Sequence, residues 1–295
     1  MAGKPGLGRA RWANSRCVSI CLPTQVVLGR LPTLGGVSRL LSSAPARTVL
    51  SVWAWFVLGL LVVSFLPLVA LTRLMTMPFD PGRYHAGLLF RKVAVVHQKL
   101  NPLWNFKVSG QIPSDPRRPY VVVANHESFV DMLLISHLPF EMKWMSKSEF
   151  FKIPFMGWMM LLAGDIRIER GTKKAGVQAL LDCRDRLAKK VSVMIFPEGT
   201  RSKTGELGEF KDGAFRLALQ TGTPILPLAV LGTRDALIKH DWRFGYSRAE
   251  VKVLEPIPTD GLGKDDVEAL RDRTRDVIAV ALEHMRSEHA DRPTR

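Results

Sequence analysis

Acidic residues are missing from the start of this chain: none occurs before Asp80. Lys4, Arg9, Arg11, Arg16, Arg30, Arg39 and Arg47 all precede the first long apolar run. A Ser- and Arg-containing leader without acids resembles an organelle transit segment or a basic arm beside a membrane, and the arm is the preferred reading of residues 1–47. Cysteine is scarce too, with only Cys17, Cys21 and Cys183. Cys17 and Cys21 have no His or Cys partners at zinc-site spacing, and an odd count with one remote member argues against a disulfide framework. A reducing compartment is expected. Internal repeats are lacking, as are low-complexity tracts beyond the leader.

What is present is a chain of 295 residues, 46% hydrophobic, which suffices for a folded core. Its net charge of +15 favours anionic partners. Nucleic acid, anionic lipid headgroups and a phosphorylated substrate all qualify on charge alone.

From Val49 to Leu71, "VLSVWAWFVLGLLVVSFLPLVAL", 23 residues carry no charge. Crossing a hydrocarbon core about 30 Å thick takes roughly 20 helical residues, so residues 48–75 are predicted to form a transmembrane or membrane-inserted helix. Trp53, Trp55 and Arg73 suit interfacial anchoring. Pro67 is expected to kink the helix or fold it into a hairpin-like insertion. Arg73, Arg83, Arg91 and Lys92 against Arg39 and Arg47 lean toward a cytoplasmic position for the rest of the chain. Residues 76–104 read as an amphipathic linker helix that lies either on the membrane surface or against the main domain.

Past Asn105 short apolar runs alternate with amphipathic helices. Strands are expected at 120–125, 142–146, 166–169, 191–196, 224–230 and 249–257, and helices at 127–138, 148–162, 172–189, 211–221 and 264–286. Strands apolar on both faces imply an α/β domain over 105–287 with a mostly parallel sheet covered by helices on both faces, and a frayed tail at 288–295. The Met- and Trp-rich helix after the bend at Pro154–Phe155 is either core or the lining of an entry for a greasy substrate. In such sheets the working site lies beyond the carboxyl ends of the strands.

Two stretches fall at such ends. In "VVVANHESFVDML" (121–133), a helix starting near Glu127 or Ser128 leaves His126 before it, able to fold back toward Asp131 in the first turn. That pairs a general base with an orienting carboxylate and leaves the nucleophile unspecified. Ser128 is near enough to serve, or a substrate hydroxyl does. Alone, the pair also fits a capping or structural role. A shared metal is disfavoured, because His137 lies eleven residues on, roughly 16 Å along one helix. In "FPEGTRS" (196–202), a glycine turn and the Arg201 fork suit a phosphate oxygen, with Glu198 either holding that Arg or accepting from a substrate hydroxyl. An ordinary strand-exit turn with an exposed ion pair is the plainer alternative. Lys143, Lys147, Arg167 and Arg170 follow other strands and converge on the same rim. Beside a membrane segment, that rim fits a phosphorylated lipid better than nucleic acid, which calls for exposed aromatics or a groove-reading helix.

Together these blocks resemble the glycerolipid acyltransferases, in particular the lysophosphatidate acyltransferases. "NHESFVD" (125–131), "GDIRIER" (164–170), "FPEGTRS" (196–202) and "TPILPLAV" (223–230) appear in family order, and "KWMSKSEFFKIPFMGW" (143–158) is also similar, over roughly residues 45–258. Glu127 and Arg167 depart from the usual pattern. The resemblance implies that His126 is the base and Asp131 its orienter, with Asn125, Lys147, Arg170, Glu198, Gly199, Thr200 and Arg201 as the substrate-binding set. It implies acyl transfer from acyl-CoA or acyl carrier protein to the sn-2 hydroxyl of lysophosphatidate, giving phosphatidate at a membrane. The thioester is already activated, so neither metal nor bound cofactor is expected. Glycerol 3-phosphate or another lysophospholipid remains as an alternative acceptor. A Ser128-dependent hydrolase and a non-enzymatic lipid-binding domain are the rival classes.

Overall fold

A computed structural model describes residues 43–169, 173–202, 204–238 and 240–290. The leader with Cys17 and Cys21, Arg170 and the last five residues lie outside them. Seven strands form one sheet in the order β1-β7-β6-β2-β5-β3-β4. They are β1 (Trp104–Gly110), β2 (Val121–Ala124), β3 (Met142–Lys147), β4 (Ile166–Ile168), β5 (Ser192–Ile195), β6 (Ile225–Leu231) and β7 (Ser247–Val253). Strands β6, β2, β5, β3 and β4 run parallel; β7 pairs antiparallel with β6, and β1 follows β7.

Alternation along buried β2 explains the two layers. Val121 and Val123 join Val193, Ile195 and Ile225 in the core against α5 (Lys173–Ala188), α6 (Gly213–Thr221) and α8 (Val267–Ala290). Val122 and Ala124 point the other way, joining Met194, Leu226 and Leu228 against α3 (Asp131–Ile135). Successive side chains of a strand face opposite sides, so a four-residue apolar run serves both cores. Cys183 is a free buried thiol in the first of them.

Four expectations are corrected. Residues 127–138 do not form one helix: α3 begins only at Asp131, because its Oδ2 accepts the backbone N–H groups of Glu127 (2.8 Å) and Ser128 (3.0 Å) and holds them in a turn. Residues 148–162 split into a 3₁₀ turn (Ser148–Lys152) and α4 (Met156–Ala163), since Pro154 and Phe155, at φ 61°, interrupt the helix. In α4 Met159 and Met160 are buried while Trp158 and Leu161 are exposed, so it serves the core on one face only. Strand β1 was not expected, and α8 continues to Ala290 in place of a frayed end from 288.

Helix α1 spans Ala44–Thr76 and runs through Pro67 without ending. By length and composition it is able to cross a membrane, although 22% of its most apolar window is buried against the rest of the protein. Helix α2 (Tyr84–Leu100) is packed on the domain, with Phe90, Val93 and Ala94 buried. Val62 and Val69 of α1 meet Phe90, Met159 and Met160 from α2 and α4. Nearer its start, α1 is bolted to the segment before β7. The Arg47 guanidinium donates to the carbonyls of Arg243 (2.8 Å) and Phe244 (2.9 Å) and pairs with Asp241 (3.1 Å). The Trp55 indole N–H donates to Trp242 O (2.8 Å) while its ring stacks on Phe244, and His97 Nε2 donates to Ala54 O (3.0 Å).

A buried charge cluster joins α2 to the sheet. The Arg91 guanidinium grips both oxygens of Asp165 and donates to Met142 O (3.2 Å). Lys143 Nζ donates to Glu141 (2.9 Å) and to Arg83 O (2.8 Å). Lys143, expected on the exposed rim, is instead fully buried beneath α2. Gly87 makes room for this arrangement: a Cβ there would overlap the Glu141 carboxylate.

Candidate active site

The carboxyl ends of three neighbouring parallel strands, β6, β2 and β5, deliver the site. Strand β2 ends into Asn125–His126. The Asn125 amide donates to Val230 O and accepts Val230 N–H, both at 2.8 Å, so it fastens the end of β2 to β6. With the amide so engaged and 4% exposed, the expected substrate-binding Asn125 occupies a holding position.

His126 Nδ1 lies 2.7 Å from Asp131 Oδ2. The carboxylate accepts Nδ1–H, which fixes the tautomer and leaves Nε2 as the basic atom. Two more N–H groups reach the same Oδ2, and the Thr233 hydroxyl donates to Oδ1. The ring is held on its face by Phe196, stacked at 4.0 Å between centroids and 14° between planes. Asp131 is fully buried, whereas the His126 side chain keeps 17% of its exposure. One face of the base is thus open to a substrate.

Strand β5 ends into the Phe196–Ser202 turn. Gly199 sits at φ 70°, where a side chain would be strained and its Cβ would come 2.7 Å from Lys211 Nζ. Lys211 is thereby brought beside the turn. Glu198 accepts the backbone N–H of His126 (2.8 Å) through Oε1 and that of Gly208 (3.2 Å) through Oε2. Burial raises its pKa, and those two N–H groups oppose the rise. Both Glu198 oxygens hold backbone, and neither reaches Arg201 by an ion pair among the described residues. Ser202 N–H donates to His126 O (2.8 Å), tying the two loops together. Thr200 and Arg201 are exposed on the rim, and Lys147 is exposed at the end of β3, two strands from β2. Arg167 lies over the Phe151 ring at 5.1 Å.

Thr233, at the start of α7 (Thr233–Ala236) beyond β6, was missed from sequence, though the rule about strand ends pointed to "LGTRD". Glu127, unassigned by its motif, accepts from Gly232 N–H (3.2 Å) and reaches the Thr233 hydroxyl (3.4 Å). Burial first, then the Asp131 charge, lift its pKa to about 7. The Ser128 hydroxyl is buried and donates to Leu237 O (3.2 Å), an orientation unsuited to a nucleophile activated by His126. Phe129, next in the same loop, lines an apolar cavity of about 70 Å³ with Leu58, Phe90, Val93 and Met132. Among the described residues no three His, Cys, Asp or Glu side chains gather as a metal site.

An imidazole–carboxylate dyad beside a glycine turn, at the carboxyl ends of a parallel sheet, is joined to an apolar helix. A family model described as Acyltransferase matches residues 105–231, which contain all of it except the helix. The 1-acyl-sn-glycerol-3-phosphate acyltransferases alpha of Ovis aries and Homo sapiens are 36% and 35% identical over 196 residues, 66% of this chain and 68% and 69% of theirs. The crystal structure of the 1-acyl-sn-glycerophosphate (LPA) acyltransferase PlsC from Thermotoga maritima superposes with a TM-score of 0.71 at 25% identity, covering 84% of this chain and 98% of that one. The chain belongs to this acyltransferase family.

Proposed function

We propose that the protein transfers an acyl chain from acyl-CoA or acyl carrier protein to the sn-2 hydroxyl of lysophosphatidate, forming phosphatidate. The observation that carries the reading is the His126–Asp131 contact of 2.7 Å in a chain whose relatives bear that acyltransferase name. His126 Nε2 takes the proton of the sn-2 hydroxyl as its oxygen bonds to the thioester carbonyl carbon. Asp131 stabilises the imidazolium that forms. Collapse of the tetrahedral adduct breaks the C–S bond, and the imidazolium returns its proton to the departing thiolate. Such general-base help is typically worth about 10²–10⁴-fold. The acceptor supplies the nucleophile and the thioester the activation, so the scheme calls for no metal or bound cofactor.

The exposed guanidinium of Arg201 and the turn at Gly199 and Thr200 would receive the acceptor phosphate, with Lys147 adding positive charge along the rim. A rigid Arg fork suits two phosphate oxygens. The apolar cavity beside Phe129 fits the first part of an acyl chain. Helix α1 would sit in the bilayer, with the catalytic domain on the cytoplasmic side. The test is acyl transfer by purified protein against lysophosphatidate, glycerol 3-phosphate and lysophospholipids with larger headgroups, comparing CoA and carrier-protein donors. Phosphatidate formation that His126→Ala abolishes is expected. Near-normal transfer by a folded His126→Ala protein would overturn the mechanism, and thioester hydrolysis without an acceptor, lost in Ser128→Ala, would make the protein a hydrolase.

A further inference from the structure

We infer that Glu127 is a positioning residue of the acyl transfer: through Thr233 it fixes the Asp131 carboxylate against His126. The inference rests on the acyl-transfer reading and extends it to a side chain that has no part in that scheme.

Thr233 has a single hydroxyl proton and two carboxylates within reach, Asp131 Oδ1 and Glu127 Oε2 at 3.4 Å. The nearer bond is to Asp131, so the proton belongs there. Thr233 Oγ1 then has a lone pair facing Glu127, and a protonated Glu127 can donate to it. The chain Glu127 O–H to Thr233 O–H to Asp131 Oδ1 complements the three N–H donors on Oδ2, and Asp131 is held from both sides. An ionised Glu127 instead competes for the Thr233 proton and sets a second negative charge beside Asp131.

The surroundings favour the neutral acid. Glu127 is 9% exposed, and its environment holds it at about 7. From the start of α3 comes Asp131, which opposes ionisation, with His126 on its far oxygen. The turn after β5 contributes Glu198, occupied by His126 N–H and Gly208 N–H. From Gly232, just before α7, and from Arg234 within it come backbone N–H groups, while the Arg234 guanidinium donates to Thr204 O. No basic side chain is bonded to Glu127 among the described residues.

The test compares full-length wild type, Glu127→Gln and Glu127→Ala. The pH dependence of acyl transfer to lysophosphatidate is measured beside an NMR titration of the Glu127 side-chain carboxyl carbon, assigned by its absence from Glu127→Gln. The wild-type Glu127 carboxyl is expected to titrate near pH 7, and the ratio of wild-type to Glu127→Gln kcat, in which every other ionisation cancels, to fall across the same range, because Gln stays neutral and can donate to Thr233. Glu127→Ala should lose about tenfold in kcat with the lysophosphatidate KM unchanged. A wild-type to Glu127→Gln kcat ratio that stays constant with pH overturns the inference, as does full kcat in Glu127→Ala. Should Glu127→Ala fail to fold, the Gln variant decides alone. A wild type without acyl transfer refutes the functional reading, and the Glu127 carboxyl titration then decides the placement of Glu127 by itself.

Discussion

Replacing Asn125 by Ala separates holding from binding at the mouth of the site. The two bonds to Val230 are each 2.8 Å long, Asn125 is 4% exposed and Val230 is fully buried. Each such bond contributes about 1 kcal/mol net, and a buried backbone group left unpaired costs about 1–3 kcal/mol. Losing both bonds and stranding the Val230 N–H and C=O should therefore cost about 3 kcal/mol. For a domain of this size that lowers Tm by about 6–12 °C. The assay is thermal unfolding of detergent-solubilised protein beside steady-state kinetics. His126 follows Asn125 directly, so kcat should fall while the KM for lysophosphatidate stays unchanged. Asn125→Asp retains the acceptor for Val230 N–H but loses the donor to Val230 O, and should fall between Ala and wild type at mildly acidic pH. An Asn125→Ala protein with an unmoved Tm and a raised KM would refute the holding role and return this residue to the substrate.

Three further outcomes follow from the geometry. Asp131→Asn should lower kcat by about 10²–10⁴-fold in a folded protein, because an amide cannot both accept three N–H groups and favour the imidazolium; wild-type turnover in that variant would exclude the dyad. Glu127 has a raised pKa in the folded state, so its contribution to stability is complete below pH 4.5 and is lost as pH climbs through about 7. Wild type should thus weaken by up to about 3 kcal/mol relative to Glu127→Gln between pH 4.5 and pH 8, read from denaturation midpoints. Gly87→Ala should force the Glu141 carboxylate out of its place beside Lys143 and Arg91 and cost about 3–5 kcal/mol, visible as a lowered Tm.

The parallel core was legible because β2 and β6 are apolar at every position and β5 at all but its first, Ser192, a pattern that fits a doubly covered sheet. Strand β1 escaped for the opposite reason. In "WNFKVSG" the polar Asn105, Lys107 and Ser109 alternate with Trp104, Phe106 and Val108, which marks a one-sided edge strand and not a doubly covered one. The His126–Asp131 pairing was readable from the turn, but the length of α3 was not. Asp131 supplies its carboxylate to backbone N–H groups three and four residues earlier, a tertiary-style bond that helix periodicity does not encode. Glu198 and Asn125 look like substrate ligands from their motifs because both are polar and near the base. Two of their partners, His126 for Glu198 and Val230 for Asn125, come from distant segments, so only the fold reveals that both are engaged with backbone. Thr233 carried no signal beyond its place after a strand, since a threonine there is commonplace.

The fastening of α1 to Asp241–Phe244 and to α2 has a consequence for how a lipid meets the base. A catalytic domain on a flexible tether would wander over a range of heights, growing as the square root of tether length. Here the helix is fastened to the domain, so if α1 sits in the bilayer as proposed, His126 would have one depth and one tilt. The acceptor then needs only to diffuse in the plane of its own leaflet, and its glycerol hydroxyl arrives at a height already matched to Nε2. Acceptor choice would then become partly a matter of vertical register: a lipid whose free hydroxyl rides higher or lower in the headgroup layer would be misplaced before its headgroup is tested at all.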